Sequence, residues 1–187
     1  MSRTLAHHIK ALPPEAILRI AGNLKIKVKA PFVEDSRQIQ PGGVFVARHG
    51  LSSDGHAYIE QAIERGAVAI IGEQAIDVDV PYVQVRDAQP AIGYLAASYY
   101  DFPSRKLTVL GVTGTNGKTT TIHLLHSILN KATRGNAGFI STIGAEFGKS
   151  SADTGLHVTT PSAPDIQRYL AQMVESGLTH VVLEMTS

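Results

Sequence analysis

Cysteine is absent from the 187 residues, so disulfides and thiolate metal sites are impossible, and the composition fits a reducing compartment. An excess of one charge is missing too. Seventeen Lys and Arg stand against sixteen Asp and Glu, a formal +1 that supplies no global field for nucleic acid or an anionic membrane. Any anion must be held locally. Aromatic residues make up only 6%, with no aromatic-basic interleaving of the kind that binds nucleic acid. Apolar runs fall far short of the roughly 20 residues that span a bilayer. His and Lys interrupt the apolar residues of Met1 to Leu12, so no secretory signal is legible there. These absences predict a cytoplasmic protein with no nucleic-acid or membrane partner. The 43% hydrophobic and 18% charged content suits an ordinary globular core, and the length allows one or two domains.

The first hundred residues read as a small α/β unit. Leu24, Ile26 and Val28, then Val44, Phe45 and Val46, suggest short strands around the turn former Pro41-Gly42-Gly43. Asp54 can cap a helix carrying Ile59, Ala62 and Ile63, closed by Gly66. Ala67 to Ile71 and Tyr82 to Val85 read as strands, and Asp87 with Pro90 opens a helix bearing Ile92, Leu95, Ala96 and Tyr99. The polar break Asp101 to Arg105 sets a domain boundary near 104.

A different pattern follows. Leu107 to Val112 predicts a parallel strand covered on both faces, a helix runs from about Lys118 to Lys131, and Phe139 to Ile143 offers another strand. Ser162 and Asp165 form a capping box, with Asp in place of Glu, for a helix carrying Ile166, Tyr169, Leu170, Met173 and Val174. Gly177 closes it, and Val181 to Leu183 forms a buried strand leading into Glu184. Because the chain stops as this strand reaches its ligand end, the second domain reads as cut short. The expected architecture is α/β: a small N-terminal substrate domain over 1–104, then over 105–187 the start of a mostly parallel-sheet phosphate-loop ATPase domain.

Between the strand and the helix lies Gly111-Val112-Thr113-Gly114-Thr115-Asn116-Gly117-Lys118-Thr119. In such a loop backbone N–H groups point at phosphate oxygens, glycines permit close approach, the lysine neutralises β/γ charge and the threonine hydroxyl reaches Mg²⁺. The spacing departs from G-x-x-x-x-G-K-[ST], since Val occupies position 112. A Gly-rich turn with an exposed lysine is the bland alternative, and it has no use for Asn116 or the clustered hydroxyls. Glu184 at the end of a neighbouring strand is the natural second Mg²⁺ residue; otherwise it is a solvated acid. His123 and His126, three apart on the helix, have no third ligand and are expected on its surface, and the other histidines offer no better cluster.

Over nearly its whole length the sequence resembles the Mur ligases, in their MurE-type branch. The resemblance rests on Asp35-Ser36-Arg37, Pro41 to Ala47, Asp54-Gly55-His56 with Tyr58-Ile59, and Gly66 to Ala69. It continues through Val112 to Thr120, Thr159-Thr160-Pro161 and His180 to Glu184. Asp35-Ser36-Arg37 and Thr159-Thr160-Pro161 select the branch, although alone they read as an Asx-type turn and an extended lead-in to a helix. The resemblance implies an ATP- and Mg²⁺-dependent ligase joining a diamino acid to UDP-N-acetylmuramoyl-L-alanyl-D-glutamate through an acyl phosphate. It places the nucleotide of that precursor at Ser36, Leu51, Ser52 and Ser53, and the muramoyl-peptide end at Thr159, Thr160 and Ser187. ATP falls to Gly114, Thr115, Asn116, Gly117, Lys118, Thr119 and Thr120, Mg²⁺ to Thr119 and Glu184, and catalysis to Lys118 and Glu184.

Met185-Thr186-Ser187 departs from the usual Val-Ser-Ser, and the chain stops before the histidine that follows in the family. The family's C-terminal part, which chooses the amino acid, is expected to be missing, leaving this chain inactive by itself. Two other readings stay open: a small-molecule kinase or other phosphate-loop NTPase, which leaves the first 104 residues without a role, and a noncatalytic UDP-sugar-binding module.

Overall fold

The computed structural model describes residues 2–50, 53–147, 150–152 and 161–185. Its backbone contacts divide the chain into two units, Met1–Tyr99 and Tyr100–Ser187. In the first unit, β1 (Arg3–Thr4) leads into helix α1 (Leu5–Ile9), followed by β2 (Ile17–Ala21), β3 (Lys27–Val28), β4 (Phe32–Val33) and β5 (Val44–Ala47). Helix α2 (Ile59–Glu64), strands β6 (Ala69–Gly72) and β7 (Tyr82–Val85), and helix α3 (Ala88–Tyr99) complete it. The main sheet runs β2-β7-β6-β5-β4, with β4 to β7 parallel and β2 antiparallel on the edge; β1 and β3 form a separate pair.

The central strands β5 and β6 are buried at every residue, as parallel strands covered on both faces must be. One apolar layer joins Phe45, Ile59, Ala62, Ile70 and Tyr82. Across the sheet, α1 and α3 meet, and buried His8 lies edge-on to Phe32 with its Nδ1 3.0 Å from Ser98 Oγ. Gly66, at φ +96°, ends α2 where its amide N–H bonds Ile63. The capping geometry read from Asp87 is present, its carboxylate accepting from the Gln89 N–H at 2.9 Å.

The second unit opens with Asp101 and Phe102 at positive φ and a 3₁₀ turn, Pro103–Lys106, whose proline is buried and which packs on a later helix. Then come β8 (Thr108–Val112), α4 (Lys118–Ala132), β9 (Ala137–Ile140), β10 (Ala145–Phe147), β11 (Ser150–Ala152), α5 (Ala163–Glu175) and β12 (His180–Glu184). The sheet order is β11-β10-β9-β12-β8, with β8, β12 and β9 parallel and the β10–β11 hairpin antiparallel. α5 starts as its capping box requires, with Ser162 Oγ bonded to Asp165. Its apolar stripe meets Leu107, Ile140 and Val181, while α4 packs Ile122 on Phe139 and Val182 from the other cluster.

Two expectations fail here. β8 is not covered on both faces: among the described residues it is the sheet edge, and Val109 is 39% exposed. His126 is buried rather than on the helix surface, because α4 lays it over β9, where Nε2 reaches the Ala137 carbonyl at 3.2 Å and the ring meets Phe139.

Candidate functional site

In open α/β sheets ligands bind beyond the carboxyl ends of parallel strands. The first unit has a cleft of about 580 Å³ in that position. The segment after β4 supplies Glu34, Asp35, Ser36 and Arg37; Arg48, Gly50, Ser53 and Gly55 follow β5; Tyr58, Gln61 and Arg65 come from α2 and its approach. Ser36 is 5% exposed and donates to Gln61 Oε1 at 2.6 Å, which ties the post-β4 turn to α2. Asp35 accepts from the Arg37 N–H at 2.9 Å, so the Asx turn legible in the sequence does form. The Arg37 guanidinium also grips that carboxylate and holds its pKa below the usual range. Arg48 donates to Glu34 at 2.6 Å, linking the ends of β4 and β5, and Arg65 donates to the Arg37 carbonyl.

Of the residues expected at the precursor nucleotide, Ser36 and Ser53 line this cleft, and Leu51 and Ser52 lie outside the described residues. The sequence did not single out Glu34, Arg48, Tyr58, Gln61 or Arg65 for the cleft. The available signal was positional, since Glu34 and Arg48 each follow the last residue of a parallel strand. A histidine cluster also went unread: His49, Asp54 and His56 bring ligand-type atoms within 4.8 Å. Both ring nitrogens of His56 are already engaged, Nδ1–H donating to Asp54 at 2.6 Å and Nε2 accepting from the Glu73 N–H at 2.9 Å, which leaves that ring no lone pair for a metal.

In the second unit the phosphate-type loop joins β8 to α4. Gly117 adopts φ +76° and stands at the helix N-cap without side-chain capping, so the first-turn N–H groups of a 15-residue helix have no side-chain acceptor there. A Cβ at Gly117 would meet nothing within 4 Å, so the space before the loop is open. Thr113 to Gly117 and Thr120 are exposed; Lys118 and Thr119 are half-buried. Lys118 Nζ folds back to donate to the Gly114 carbonyl at 2.9 Å.

Glu184 lies opposite Val112 in the β12–β8 register, at the strand end that feeds the loop. It is 3% exposed rather than solvated, and it accepts from Thr142 N–H at 3.0 Å and Thr142 Oγ1 at 3.3 Å. No cation pairs with it among the described residues. A buried carboxyl group with no cation paired to it among the described residues, at the strand end level with Val112, which leads into the loop before α4, is a donor set that fits a hard divalent cation. Thr159, Thr160 and Ser187 lie outside the described residues.

Comparison with known proteins agrees with both halves. Residues 33–108 match the catalytic domain of the Mur ligase family and residues 112–187 match the Mur ligase middle domain. The chain belongs to the Mur ligase family. It is 42% identical over 153 residues to a UDP-N-acetylmuramoyl-L-alanyl-D-glutamate–2,6-diaminopimelate ligase of Geobacillus thermodenitrificans, covering 82% of this chain and 31% of that protein. It is 38% identical over 189 residues to the ligase of the same name from Chlorobium phaeobacteroides, covering 98% and 36%. A solved structure of a UDP-N-acetylmuramoyl-L-alanyl-D-glutamate–2,6-diaminopimelate ligase shares the fold with a TM-score of 0.77 at 23% identity, covering 99% of this chain and 36% of that one. The Thermotoga maritima MurF ligase in complex with ADP matches with a TM-score of 0.54 and 28% identity, covering 83% and 32%. The chain thus spans about a third of the length of the curated relatives it matches. No helix among the described residues is long and apolar enough to cross a membrane.

Proposed function

We propose that this chain carries two sites of a cytoplasmic, ATP-dependent ligase that adds meso-diaminopimelate or L-lysine to UDP-N-acetylmuramoyl-L-alanyl-D-glutamate in peptidoglycan precursor synthesis. The domains are 1–104 for the UDP-linked precursor and 105–187 for ATP. The carrying observation is the buried, unneutralised Glu184 held in register beside the strand that opens into the Lys118 loop. An ordinary strand terminus does not need that arrangement; a site for a nucleotide with its cation does.

The chemical problem is that a substrate carboxylate must approach the γ-phosphorus of a triphosphate although both are anionic. Loop N–H groups from Gly114 to Thr120 and the Lys118 ammonium provide donors and positive charge against the phosphates. Thr119 and Glu184 would hold Mg²⁺, whose chemistry there would be further positive charge against the phosphates. The carboxylate oxygen attacks, ADP leaves, and the amine of the diamino acid displaces phosphate from the acyl phosphate to give the amide. Ser36, Ser53, Leu51 and Ser52 hold the UDP moiety, and Thr159, Thr160 and Ser187 hold the muramoyl-peptide end.

Calorimetric titration tests the reading. The chain should bind the UDP-linked dipeptide at one site and Mg-ATP at another, without competition. Binding of ATP alone would favour a kinase-type NTPase, and binding of neither would remove the proposal.

A further inference from the structure

Asp54-Gly55-His56 belongs to the motif set of the sequence, yet neither the Asp54 nor the His56 side chain lines the proposed nucleotide cleft. Gly50, Ser53 and Gly55 line it instead. Behind those three residues runs a continuous chain of hydrogen bonds. Asp54 Oδ1 accepts from the His56 N–H at 2.9 Å and from His56 Nδ1–H at 2.6 Å, and Asp54 Oδ2 accepts from Gln74 Nε2 at 3.0 Å. His56 Nε2, in a side chain 5% exposed, accepts from the N–H of Glu73 at 2.9 Å and of Gln74 at 3.3 Å, immediately after β6. Glu73 completes the circuit, its carboxylate accepting from the His49 N–H at 3.2 Å and from the Ala88 N–H at the start of α3 at 2.8 Å.

We propose that His56 and Asp54 are positioning residues that clamp the post-β5 hairpin to β6 and so fix the backbone of Gly50, Ser53 and Gly55 along the nucleotide cleft. The chemistry selects this role. A carboxylate can only accept, so Nδ1 must carry the proton, and Nε2 must then be the lone-pair nitrogen that two backbone N–H groups require. One neutral tautomer satisfies every partner, and the ring is fixed between two elements 17 residues apart in sequence. Among the described residues the hairpin's other ties are the His49–Asp54 bridge, the Gly50 N–H to the Ser53 carbonyl and the Gly55 N–H to the Arg48 carbonyl, both at 2.9 Å, with Arg48 on Glu34 at its base and Gln74 Nε2 3.4 Å from His49 Nε2. The clamp's bearing on nucleotide affinity rests on the proposed function; its bearing on the hairpin does not.

Amide hydrogen exchange and UDP titration on the ¹⁵N-labelled 187-residue chain decide the matter, with Asp54→Ala, His56→Phe and Asp54→Asn compared with wild type. Asp54→Ala and His56→Phe should lower protection of the Gly50 and Gly55 amides and raise the Kd for UDP by about tenfold, the size of one lost charge-assisted hydrogen bond. Protection of Val46 and Ile70 in the central strands should hold. Asp54→Asn keeps an acceptor for His56 but loses the charge and the acceptor for Gln74, and should fall between wild type and Asp54→Ala in both properties. The His56 ring should show, in ¹⁵N correlation spectra, a protonated Nδ1 and a bare Nε2. Uniform loss of protection through the sheet, unchanged hairpin protection in Asp54→Ala, or the opposite tautomer would each overturn the clamp. If a variant fails to fold, the wild-type tautomer and Asp54→Asn still decide. Absence of UDP binding by wild type would remove the nucleotide reading instead, with the exchange data still deciding the clamp.

Discussion

Ser36 donates to Gln61 from a buried position in the cleft lining, and a hydroxyl oxygen can also accept a hydrogen bond. Ser36→Ala should weaken binding of the UDP-linked precursor by about 0.5 to 1.5 kcal/mol, the net worth of one hydrogen bond, and leave Mg-ATP affinity alone. Calorimetry on both ligands checks this; an unchanged precursor affinity would return Asp35-Ser36-Arg37 to a turn and nothing more. Lys118 makes the opposite test. Its ammonium lies against its own loop with the Gly114 carbonyl as partner, so truncation to Ala costs the fold little and removes the loop's only side-chain charge. ATP affinity should fall by roughly 1.5 to 3 kcal/mol, as for losing a charged hydrogen bond, with precursor binding preserved. Equal loss of both would mean that Lys118 supports folding.

Helix α1 docks through His8, which is 2% exposed and whose pKa is lowered from 6.5 to about 4, first by burial and then by the nearby charges of His7 and Arg3. Between those values the unfolded chain binds the proton that the folded chain refuses, so stability is fully present above about pH 6.5 and is lost as pH falls toward 4. The loss contributed by this one group is about 3 kcal/mol. Urea denaturation at pH 7 and pH 4.5 should show it, and His8→Gln should flatten the slope. Strand β9 offers a steric test. A Cβ at Gly138 would sit 2.5 Å from the Glu146 carbonyl oxygen and 2.9 Å from Leu178 Cδ1, and β10 is paired to β9 and cannot withdraw freely. Gly138→Ala should destabilise the second unit by about 1 to 3 kcal/mol in chemical denaturation; a neutral result would show that the β9–β10 pair yields.

Among the described residues the first unit buries more apolar side chains than the second, although both leave some exposed: Leu18, Ile20, Tyr58 and Tyr94 in the first, and Val109, Leu124, Ile128, Ile143 and Met185 in the second. The chain spans about a third of the relatives it matches, so if the groups that position the amine lie in the remaining two thirds, the 187-residue chain given precursor, ATP, Mg²⁺ and lysine or diaminopimelate should form no amide. Mass spectrometry of the mixture checks this, and a tripeptide precursor would refute it. Limited proteolysis should cut beyond about residue 100 before it cuts the first unit, because local opening is easiest where fewer apolar contacts must break.

What the sequence determined by itself is what depends on neighbours along the chain. The strand, Gly-rich turn and helix around Lys118, the Ser162–Asp165 cap, the left-handed glycines 66, 117 and 177, and the stripes of α3 and α5 all follow from backbone sterics, local hydrogen bonds and the 3.6-residue period. Even the Asx turn at Asp35 was readable, because its partner is two residues away. Tertiary structure decided whatever depends on pairing across the chain. β12 inserts between β9 and β8, and only that order puts Glu184 beside Val112 and, among the described residues, leaves β8 on the edge. Strand order has no local signature, since any apolar run of that length satisfies the same pattern. The cleft required β4, β5 and α2 to converge, and the ring of His56 found its acceptor role only when β6 brought the N–H of Glu73 to it. His8 became a buried, pH-sensitive group because α1 packs it against Phe32 and α3, beside Ser98 90 residues away, a setting that periodicity cannot express because it records which face a residue takes and not what that face meets.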